Sequence, residues 1–359
     1  MSSNNTILFI GRSALHYPQS FATALATLGF KIEKPNYLTY TYPNRWERLF
    51  RKKQYNQTFL NKQSDLYLEA LQRTKPQFVF IVNHYWVNEK FLTLCQQKNI
   101  PVYGYLMDAV RWYGYALELM HLYTTVYSYE PSDSNIDLIN GKHIQYLACG
   151  FNPCVFNAAN IPTNKKFDLS FVGRLEAHRL ELLEAVAKYA HENNLKLIIY
   201  TSIQLKTIGN LWLFPKILVR RLKFAYKYKY LYRCLVNEPV SETKLATIYK
   251  QSKICLNIHV GTHAGLHTGS NVRTFEALAC HSFQLIDAGH LEQSTLNSPQ
   301  HLVEFTNSED LCRKIGYYLT NEDIRENIAE AGYQEVHRTY TVMNMMKTIL
   351  AATPFQVKS

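Results

Sequence analysis

The chain has 359 residues, of which 47% are hydrophobic and 19% are charged. This composition excludes a disordered or low-complexity protein, because such chains are poorer in apolar and richer in charged residues. The length exceeds that of a usual single hydrophobic core, so two domains are expected. The net charge is +11, yet eight basic and no acidic residues lie between Lys206 and Arg233, so the other residues together carry only +3.

The seven cysteines are scattered, and no two have the CxxC spacing of a zinc site. The apolar run at 7–10 is too short for a secretory signal. No run of about 18 apolar residues is available to span a membrane. We therefore expect reduced cysteines in a cytoplasmic protein, which can still sit peripherally on the inner face of the cell membrane.

The first half predicts a parallel α/β unit. An apolar run at 6–13 contains Gly11, a helical pattern follows at 19–28, and a second strand starts near Phe30. Further β-rich runs lie at 77–82, 101–106, 122–129 and 143–147, with a helical stretch at 88–97. This β–α–β opening is typical of a doubly wound parallel sheet, so residues 1–155 are predicted to form a Rossmann-like domain.

A loop-like stretch at 151–166 predicts an interdomain linker, and the α/β pattern then restarts. Predicted strands lie at 169–173, 196–200, 254–258 and 283–287, and predicted helices at 180–193, 274–280 and across 308–350. A second Rossmann-like domain is thus expected over 156–335, with a basic aromatic insert at 206–233. The C-terminal helix at 336–359 can return to the first domain. Two such domains facing across a cleft would bind ligands there.

Three segments of the second half indicate chemistry. In the first, at 171–179, a strand ends in Gly173, and Arg174 and Arg179 frame the start of a helix. Helix N-termini favour phosphate, and arginine adds charge-assisted bonds to a diphosphate. Two ordinary surface arginines are the alternative interpretation.

The second segment, at 259–271, is rich in glycine and hydroxyl groups and precedes a helix. Such a loop can approach a ligand closely. Its histidines, His259, His263 and His267, suggest a metal site, but the four-residue spacing brings side chains together only on a helix, which this glycine-rich segment does not predict. We therefore expect no metal.

In the third segment, at 271–280, Glu276 is a lone acid in an otherwise apolar helix. A buried carboxylate needs a partner, because burying it ionised is costly. A salt bridge to Arg273 is one interpretation. The other is that Glu276 accepts hydrogen bonds from ribose hydroxyls, as an acid does in dinucleotide-binding folds.

Residues 268–283 resemble the donor-site motif E-x7-E-A-x-A-x-G-x-P of GT-B glycosyltransferases. Segments 168–174, 256–259, 271–277, 315–319 and 325–333 are more similar to the CgeB-like branch of that family. The resemblance covers about residues 165–350. In the first half it is limited to the strand layout and to 105–108, near where relatives carry an aspartate. It implies the GT-B fold, in which two Rossmann-like domains face each other across a cleft.

By this resemblance Arg174 and Arg179 hold the diphosphate of a nucleotide diphosphate sugar, and Glu276 holds its ribose. Asn271 and Arg273 would lie near the phosphates or the sugar. The remaining implied donor-site residues are in glycine turns and in the loop: Gly11, Gly173, Thr268 and Ser270. The donor is a substrate, and no metal or other cofactor is implied, because positive side chains and a helix dipole neutralise the leaving group.

Two positions depart from the family pattern. Thr268 stands where the first glutamate of E-x7-E is usual, so the sugar end of the site does not follow the family. His281 stands where glycine is usual, which we expect to narrow the space beside the loop.

An inverting enzyme needs a catalytic base, which we expect from the first domain. His16 in the first βα loop and Asp108 at the end of a strand are the candidates, because ligands of α/β sheets bind there. Glu130 is a weaker third. A retaining enzyme would need none of them as a base.

The insert residues 210–233 interleave cations with aromatic side chains. Three interpretations stay open. The segment can lie on an anionic membrane surface, it can be a partly buried insert with a solvated basic face, or, least expected without a known nucleic-acid module, it can bind nucleic acid.

The sequence therefore predicts a glycosyltransferase that moves a sugar from a nucleotide diphosphate sugar to a glycan or lipid-linked acceptor, of the lipopolysaccharide or capsule type. Two alternatives remain. One is a sugar-nucleotide epimerase of the same fold, and the other is a non-enzymatic basic module that binds membrane or nucleic acid.

Overall fold

The computed structural model describes most of the chain. The described residues are 5–11, 16–39, 52–84, 86–110, 117–138, 141–160, 164–201, 214–259 and 268–355. The chain divides into two compact units: unit 1 comprises residues 1–149 and 342–359, and unit 2 comprises residues 150–341. None of the described helices combines the length and the apolar character needed to span a membrane.

Unit 1 is built on a parallel sheet with the strand order β2-β1-β3-β4-β5-β6. Its strands are β1 (Thr6–Ile10), β2 (Lys31–Glu33), β3 (Phe78–Val82), β4 (Val102–Leu106), β5 (Thr125–Ser128) and β6 (Gln145–Tyr146). Its helices are α1 (His16–Thr27), α2 (Lys52–Thr74), α3 (Glu89–Gln97) and, from the end of the chain, α11 (Val342–Ala351).

The core of unit 1 lies on both faces of its sheet. β1, β3 and β4 are buried at every residue, which is typical of parallel strands covered by helices on both sides. Helix α11 packs against α1. Beyond it, Phe355 stacks on Phe78 with the ring centroids 4.9 Å apart. The end of the chain therefore contributes to this core.

Unit 2 is built on a second parallel sheet, with the order β12-β11-β10-β7-β8-β9. Its strands are β7 (Phe167–Val172), β8 (Leu197–Thr201), β9 (Leu235–Asn237), β10 (Ser252–Asn257), β11 (Phe283–Asp287) and β12 (Val303–Phe305). Its helices are α4 (Ala177–Glu192), α5 (Phe214–Lys227), α6 (Lys229–Cys234), α7 (Glu242–Lys250), α8 (Val272–Ala279), α9 (Ser308–Thr320) and α10 (Glu322–Thr339).

The strand order of each unit fixes where a ligand is expected. In unit 2 the first strand, β7, lies beside the fourth, β10, which is the order of dinucleotide-binding folds. Ligands of such sheets bind outside the carboxyl ends of the strands at this switch point. In unit 1 the corresponding point lies between β1 and β3.

The predicted α/β class and its parallel strands are confirmed. Strands β9 and β12 were not predicted, because three residues are too few to show a period. Helices α2 and α7 were also not predicted. In α2 the buried side chains cluster near its end, around Tyr67 and Leu71, so the apolar pattern is weak.

Two predicted helix boundaries were wrong. The first helix was predicted at 19–28, but it begins at His16, which is therefore a helical residue and not a loop residue. The helix predicted at 274–280 begins at Val272. The Asn271 side chain accepts a hydrogen bond from the Thr274 N–H, so the helix cap lies three residues before the predicted start at 274.

Candidate active site

Polar side chains of unit 2 converge where three neighbouring strands end. Gly173 directly follows β7, His259 lies two residues beyond β10, and Asp287 ends β11. Because β10 pairs with both β7 and β11, these residues lie at one edge of the sheet. This edge contains the topological switch point, so it is the expected ligand position of unit 2.

Arg179 lies in the first turn of α4 and is only 1% exposed. Its Nε donates to the His259 carbonyl at 3.2 Å, and its Nη1 donates to the Arg174 carbonyl at 2.8 Å. Its buried Nη2 has no hydrogen-bond partner among the described residues. Burial lowers the pKa of Arg179 to about 10, and the positive charge of Arg273 contributes to this. The site therefore contains a buried cation whose Nη2 hydrogen-bond donor is not used by the described residues.

Arg273 brings a second guanidinium to the same edge. Its Nη1 lies 3.4 Å from the Val172 carbonyl. A methyl group on residue 173 would come within 2.8 Å of this Nη1, so glycine is needed there for the close approach of the arginine. Gly173, Arg179 and Arg273, which the sequence predicted as donor-site residues, are thus brought together.

The N-terminus of α8 is held at this edge by side-chain hydrogen bonds. Asn271 caps the helix and also donates from Nδ2 to Asn257 Oδ1 at 3.0 Å. Asn257 in turn donates to Thr274 Oγ1 at 2.9 Å. Ser270 is buried, and its hydroxyl donates to the His290 carbonyl at 2.7 Å. The positive end of the helix dipole is therefore fixed in place before any ligand arrives.

His259 connects the two arginine-bearing parts of the site. Its Nδ1 lies 2.7 Å from Asp287 Oδ1, and its Nε2 accepts a hydrogen bond from the Asn271 N–H at 3.2 Å. The ring is therefore the neutral tautomer with its proton on Nδ1. Burial lowers the pKa of His259 to about 4, so the ring stays neutral at physiological pH. The two histidines beside Asp287 hold the pKa of that carboxyl well below its usual range, although burial opposes this.

The same residues form a candidate metal cluster. His259, Asp287 and His290 place three potential ligand atoms within 4.8 Å of one another. The hydrogen bonds of His259, however, occupy both of its ring nitrogens. The His259 and His290 rings stack with their centroids 3.7 Å apart, which is a packing arrangement. The geometry therefore does not favour a metal, while His263 and His267, from the earlier metal hypothesis, lie outside the described residues.

Glu276 lies in the middle of α8 and is 5% exposed. Among the described residues none forms a hydrogen bond or ion pair with its carboxylate, so the salt bridge to Arg273 considered above is not observed. Loss of solvation on burial raises the pKa of Glu276 to about 8, although Arg273 acts in the opposite direction. An acid this deeply buried without a strong partner is the kind of group that a ligand completes.

Arg174 and Thr268 flank this buried cluster. Arg174 is exposed, and its carbonyl oxygen accepts the hydrogen bond from Arg179. Thr268 is half-buried in the loop before α8. The two residues thus lie next to elements of the site, although the loop between His259 and Thr268 lies outside the described residues.

The expectation that His281 narrows the space beside the loop stays a prediction, because residues 260–267 of that loop lie outside the described part of the chain. This residue follows the C-terminus of α8 with a φ of 56°, a left-handed conformation that favours glycine and explains the family preference. Its side chain contacts α10, where Nε2 lies 2.7 Å from Glu330 Oε2.

Unit 1 contains the two predicted base candidates and Gly11. Gly11 is buried directly after β1, and its N–H donates to the Tyr37 hydroxyl at 2.8 Å. A methyl group there would come within 2.8 Å of the Phe9 ring, so packing requires glycine. His16 begins α1, and its side chain lies outside the described residues. Asp108 is exposed two residues beyond β4.

Glu130, the weaker candidate, is a capping residue. It is fully buried, and its Oε1 accepts hydrogen bonds from the N–H and hydroxyl of Ser132 at 3.3 and 2.8 Å. These bonds cap the 3₁₀ helix Pro131–Asn135. The structure therefore gives Glu130 a local structural role.

Sequence reasoning missed several polar residues at the site. Asn257, Asp287 and His290 join the hydrogen-bond network at the carboxyl ends of the unit 2 strands. Each of them stands at or just beyond the carboxyl end of an apolar strand. A search for polar residues at the ends of predicted parallel strands would have found them.

Comparisons with known proteins place the chain in context. Residues 179–351 match the family described as glycosyl transferase-like. The chain is 22% identical to spore protein CgeB of Bacillus subtilis (strain 168) over 318 residues, which cover 84% of this chain and 91% of that protein.

Two solved structures superpose over nearly the whole chain. A glycosyltransferase from Rickettsia africae ESF-5 has a TM-score of 0.65 at 14% identity, covering 96% of this chain and 97% of its own. The Anabaena protein HepE in complex with UDP and glucose has a TM-score of 0.61 at 10% identity, covering 97% of this chain and 99% of its own. These similarities confirm the predicted GT-B fold and the resemblance to the CgeB-like branch.

Proposed function

We propose that this chain, a glycosyltransferase of the GT-B fold, moves a sugar from a nucleotide diphosphate sugar to a cell-surface glycan of the lipopolysaccharide or capsule type. The family match over 179–351 supports the reaction class. The structure of the neighbour HepE was determined in complex with UDP and glucose, so UDP-sugars are the first donors to test.

The observation that carries this proposal is the buried Arg179. Its guanidinium is bonded to two carbonyl oxygens, and its Nη2 is left without a partner among the described residues. A second guanidinium, that of Arg273, faces the same edge. Two adjacent cations with an unused donor favour binding of an anion, and a diphosphate matches the planar fork of arginine.

The same groups would assist the chemical step. The acceptor hydroxyl oxygen attacks the anomeric carbon of the donor sugar, the bond from that carbon to the β-phosphate oxygen breaks, and the nucleoside diphosphate leaves with the electron pair. Negative charge grows on the leaving oxygen. Arg174, Arg179, Arg273 and the N-terminus of α8 would stabilise that charge without a metal.

Glu276 would hold the ribose. Its carboxylate has no hydrogen-bond partner among the described residues, and two ribose hydroxyls would supply the missing donors. Thr268 and Ser270 would lie toward the sugar end of the donor. Because Thr268 is not an acid, the sugar would be recognised there by a hydroxyl group.

The catalytic base, if transfer inverts the anomeric configuration, would be Asp108 or His16. It would take the proton of the acceptor hydroxyl as the new bond forms. The exposure of Asp108 beyond β4 supports its candidacy. A base role would make Asp108→Asn lower kcat and leave donor affinity unchanged.

A screen of nucleoside diphosphates and their sugars by thermal shift tests the donor assignment. The correct nucleotide should raise the melting temperature in proportion to its affinity, because a ligand of the folded state stabilises it by mass action. Arg179→Lys keeps the charge but loses the fork, so the donor dissociation constant should rise about tenfold.

Arg325→Lys is the matched control, since Arg325 is buried to the same 1% but is bonded to Glu322 and Glu326. It should leave donor affinity unchanged. Equal loss of affinity in both variants would contradict the assignment of Arg179. Conversion of the nucleotide sugar without any acceptor would indicate an epimerase instead.

A further inference from the structure

The outer face of α5 exposes an apolar stripe. Val219, Leu222 and Tyr226 are 49%, 61% and 89% exposed and lie three and four residues apart, so they share one side of the helix. Four of the six large apolar side chains that are exposed in the described part of the chain lie between 219 and 232. The stripe is therefore a concentrated feature and not ordinary scatter.

The opposite side of α5 is anchored to unit 2. Phe224 and Tyr228 pack against the core of this unit. The Tyr228 hydroxyl donates to Glu181 at 3.0 Å, and Lys227 Nζ lies 2.8 Å from the same carboxylate. The helix thus has its own buried face, and the exposed stripe is a second apolar face.

Basic residues accompany the stripe. Lys223 is exposed and flanks the stripe one turn beyond Val219, and Lys229 is exposed just beyond the end of the helix. No acid occurs anywhere between residues 206 and 233. A surface that combines exposed aliphatic side chains with unopposed positive charge fits the headgroup region of a bilayer that contains anionic lipids.

Two other partners fit less well. A second copy of the chain would bring two basic surfaces together, and like charges would oppose it. Single-stranded nucleic acid needs aromatic platforms for its bases. Here the stripe offers one aromatic ring, that of Tyr226, beside the aliphatic Val219 and Leu222, while Phe224 and Tyr228 are turned to the core.

We propose that the outer face of α5 (Val219, Leu222, Lys223 and Tyr226) docks the protein on anionic lipid membranes. The end of α5 contacts Glu181, which lies two residues beyond Arg179 in α4. Docking would therefore hold the start of α4 close to the bilayer. Given the proposed function, which this step presupposes, the acceptor would be lipid-linked.

Co-sedimentation of the full chain with vesicles tests the docking directly. Wild-type protein should bind vesicles of phosphatidylglycerol and phosphatidylcholine at least about tenfold more tightly than vesicles of phosphatidylcholine alone, and added salt should weaken this binding. Val219→Ser combined with Leu222→Ser should reduce the binding about tenfold. Lys223→Glu combined with Lys229→Glu should reduce it at least as much.

The matched controls alter other parts of the surface. Tyr317→Ser with Ile324→Ser removes exposed apolar side chains of α9 and α10, and Lys98→Glu reverses a charge beyond α3. Both should bind vesicles like wild type. Failure of wild type to bind, or equal loss in test and control variants, would overturn the docking proposal. So would single-stranded DNA binding as tight as vesicle binding, or a dimer lost in the serine variant.

Donor binding is measured on the same variants without vesicles. The Val219→Ser/Leu222→Ser protein should keep the thermal shift with UDP-glucose if that is the donor. Loss of docking with intact donor binding would leave the glycosyltransferase assignment standing. Intact docking without any donor binding would refute the donor site alone.

Discussion

Two arginines of unit 2 are buried equally deeply but have different surroundings. Arg325 in α10 is bonded to the Tyr318 carbonyl and to the carboxylates of Glu322 and Glu326. The hydrogen bonds of Arg179 go to carbonyl oxygens, and its Nη2 has no partner among the described residues. A buried cation that the protein pairs internally serves the fold, whereas one left incompletely paired awaits an anion.

Two buried acids of unit 2 show the same difference. Asp287 faces His259 and His290, and its pKa is held well below its usual range. Among the described residues Glu276 has no such partners, and burial raises its pKa to about 8. Asp287 therefore organises the site, while Glu276 is poised to receive a ligand. Neutralising a paired charge should mainly change the free energy of unfolding, whereas neutralising an unpaired one should mainly change donor binding.

The largest difference in donor affinity and stability is expected between two single variants, in which each arginine in turn is replaced by methionine. Arg179→Met should reduce donor affinity and transfer by about 100-fold or more, because an arginine–phosphate contact is lost. Its free energy of unfolding should change by only about 1 kcal/mol, since loss of the buried charge offsets the lost hydrogen bonds. Arg325→Met should lower the free energy of unfolding by about 3 kcal/mol, because its hydrogen bonds to one carbonyl and two carboxylates are lost. Urea unfolding and nucleotide titration measure the two quantities.

The opposite pattern would break the comparison. If Arg179→Met unfolded easily and Arg325→Met weakened donor binding, the internal pairing of a charge would carry no information about its function. A change in the urea m-value would show that a variant had altered the unfolded state or the cooperativity of unfolding.

Glu276→Gln should weaken transfer by about 100-fold and yet stabilise the protein. An unfolded chain ionises this carboxyl near pH 4.5, but the folded protein holds the proton until about pH 8. The free energy of unfolding therefore falls as the pH rises between these values, at a limiting slope of about 1.4 kcal/mol per pH unit. The glutamine variant lacks this contribution, so its advantage in stability should grow from pH 5 to pH 8.

The same titration should appear in donor binding. Ribose hydroxyls donate to the ionised carboxylate, so wild-type affinity for UDP-glucose should rise from pH 6 to pH 8 and that of Glu276→Gln should not. Glu309→Gln, at an exposed position in the first turn of α9, is the control and should behave like wild type in both respects. A wild-type affinity independent of pH would argue against ribose binding by Glu276.

The sequence predicts most strands of both units and the two segments that meet at the carboxyl ends of β7 and β10, for a physical reason. Buried parallel strands are apolar throughout, and the arginine, glycine and glutamate positions at 173–179 and 271–276 follow short local motifs. Arg179 and Arg273 are about a hundred residues apart, yet each was predicted from its own segment. What joins them is strand order, which places β7 beside β10.

The pairing of each charge could not be predicted. Both arginines have a glutamate three residues earlier, Glu176 and Glu322, but only Arg325 hydrogen-bonds to it. The contacts of His259 could not be predicted either, because they are made with Asp287 of β11 and with Asn271, the cap of α8. His281 shows the same limit, since its left-handed conformation and its contact with Glu330 follow from where α8 ends.

His259 should act as a positioning residue with a moderate effect. His259→Leu removes the acceptor for the Asn271 N–H and one of the two histidine partners of Asp287, so donor affinity should fall about tenfold. His259→Gln offers an acceptor oxygen in a similar place and should recover most of this loss. His301→Leu is the control, because that buried histidine accepts from the Asn297 N–H away from the edge of β10. It should lower stability without changing donor affinity.

The smallest effect on donor binding is expected from replacing Gly173 or Gly11 with alanine. A methyl group at either Gly173 or Gly11 would meet another atom at 2.8 Å, but the neighbour is the tip of Arg273 in one case and the ring of Phe9 in the other. Gly173→Ala should push the guanidinium aside, weakening donor binding about threefold with a loss of stability of about 1 kcal/mol. Gly11→Ala should lower stability by up to about 3 kcal/mol, because a packed ring has less room to move. Because the added methyl group would meet the Phe9 ring and not a guanidinium, any loss of donor affinity should be smaller than that of Gly173→Ala. Equal losses of donor affinity would mean that the crowding at Gly173 does not act through Arg273.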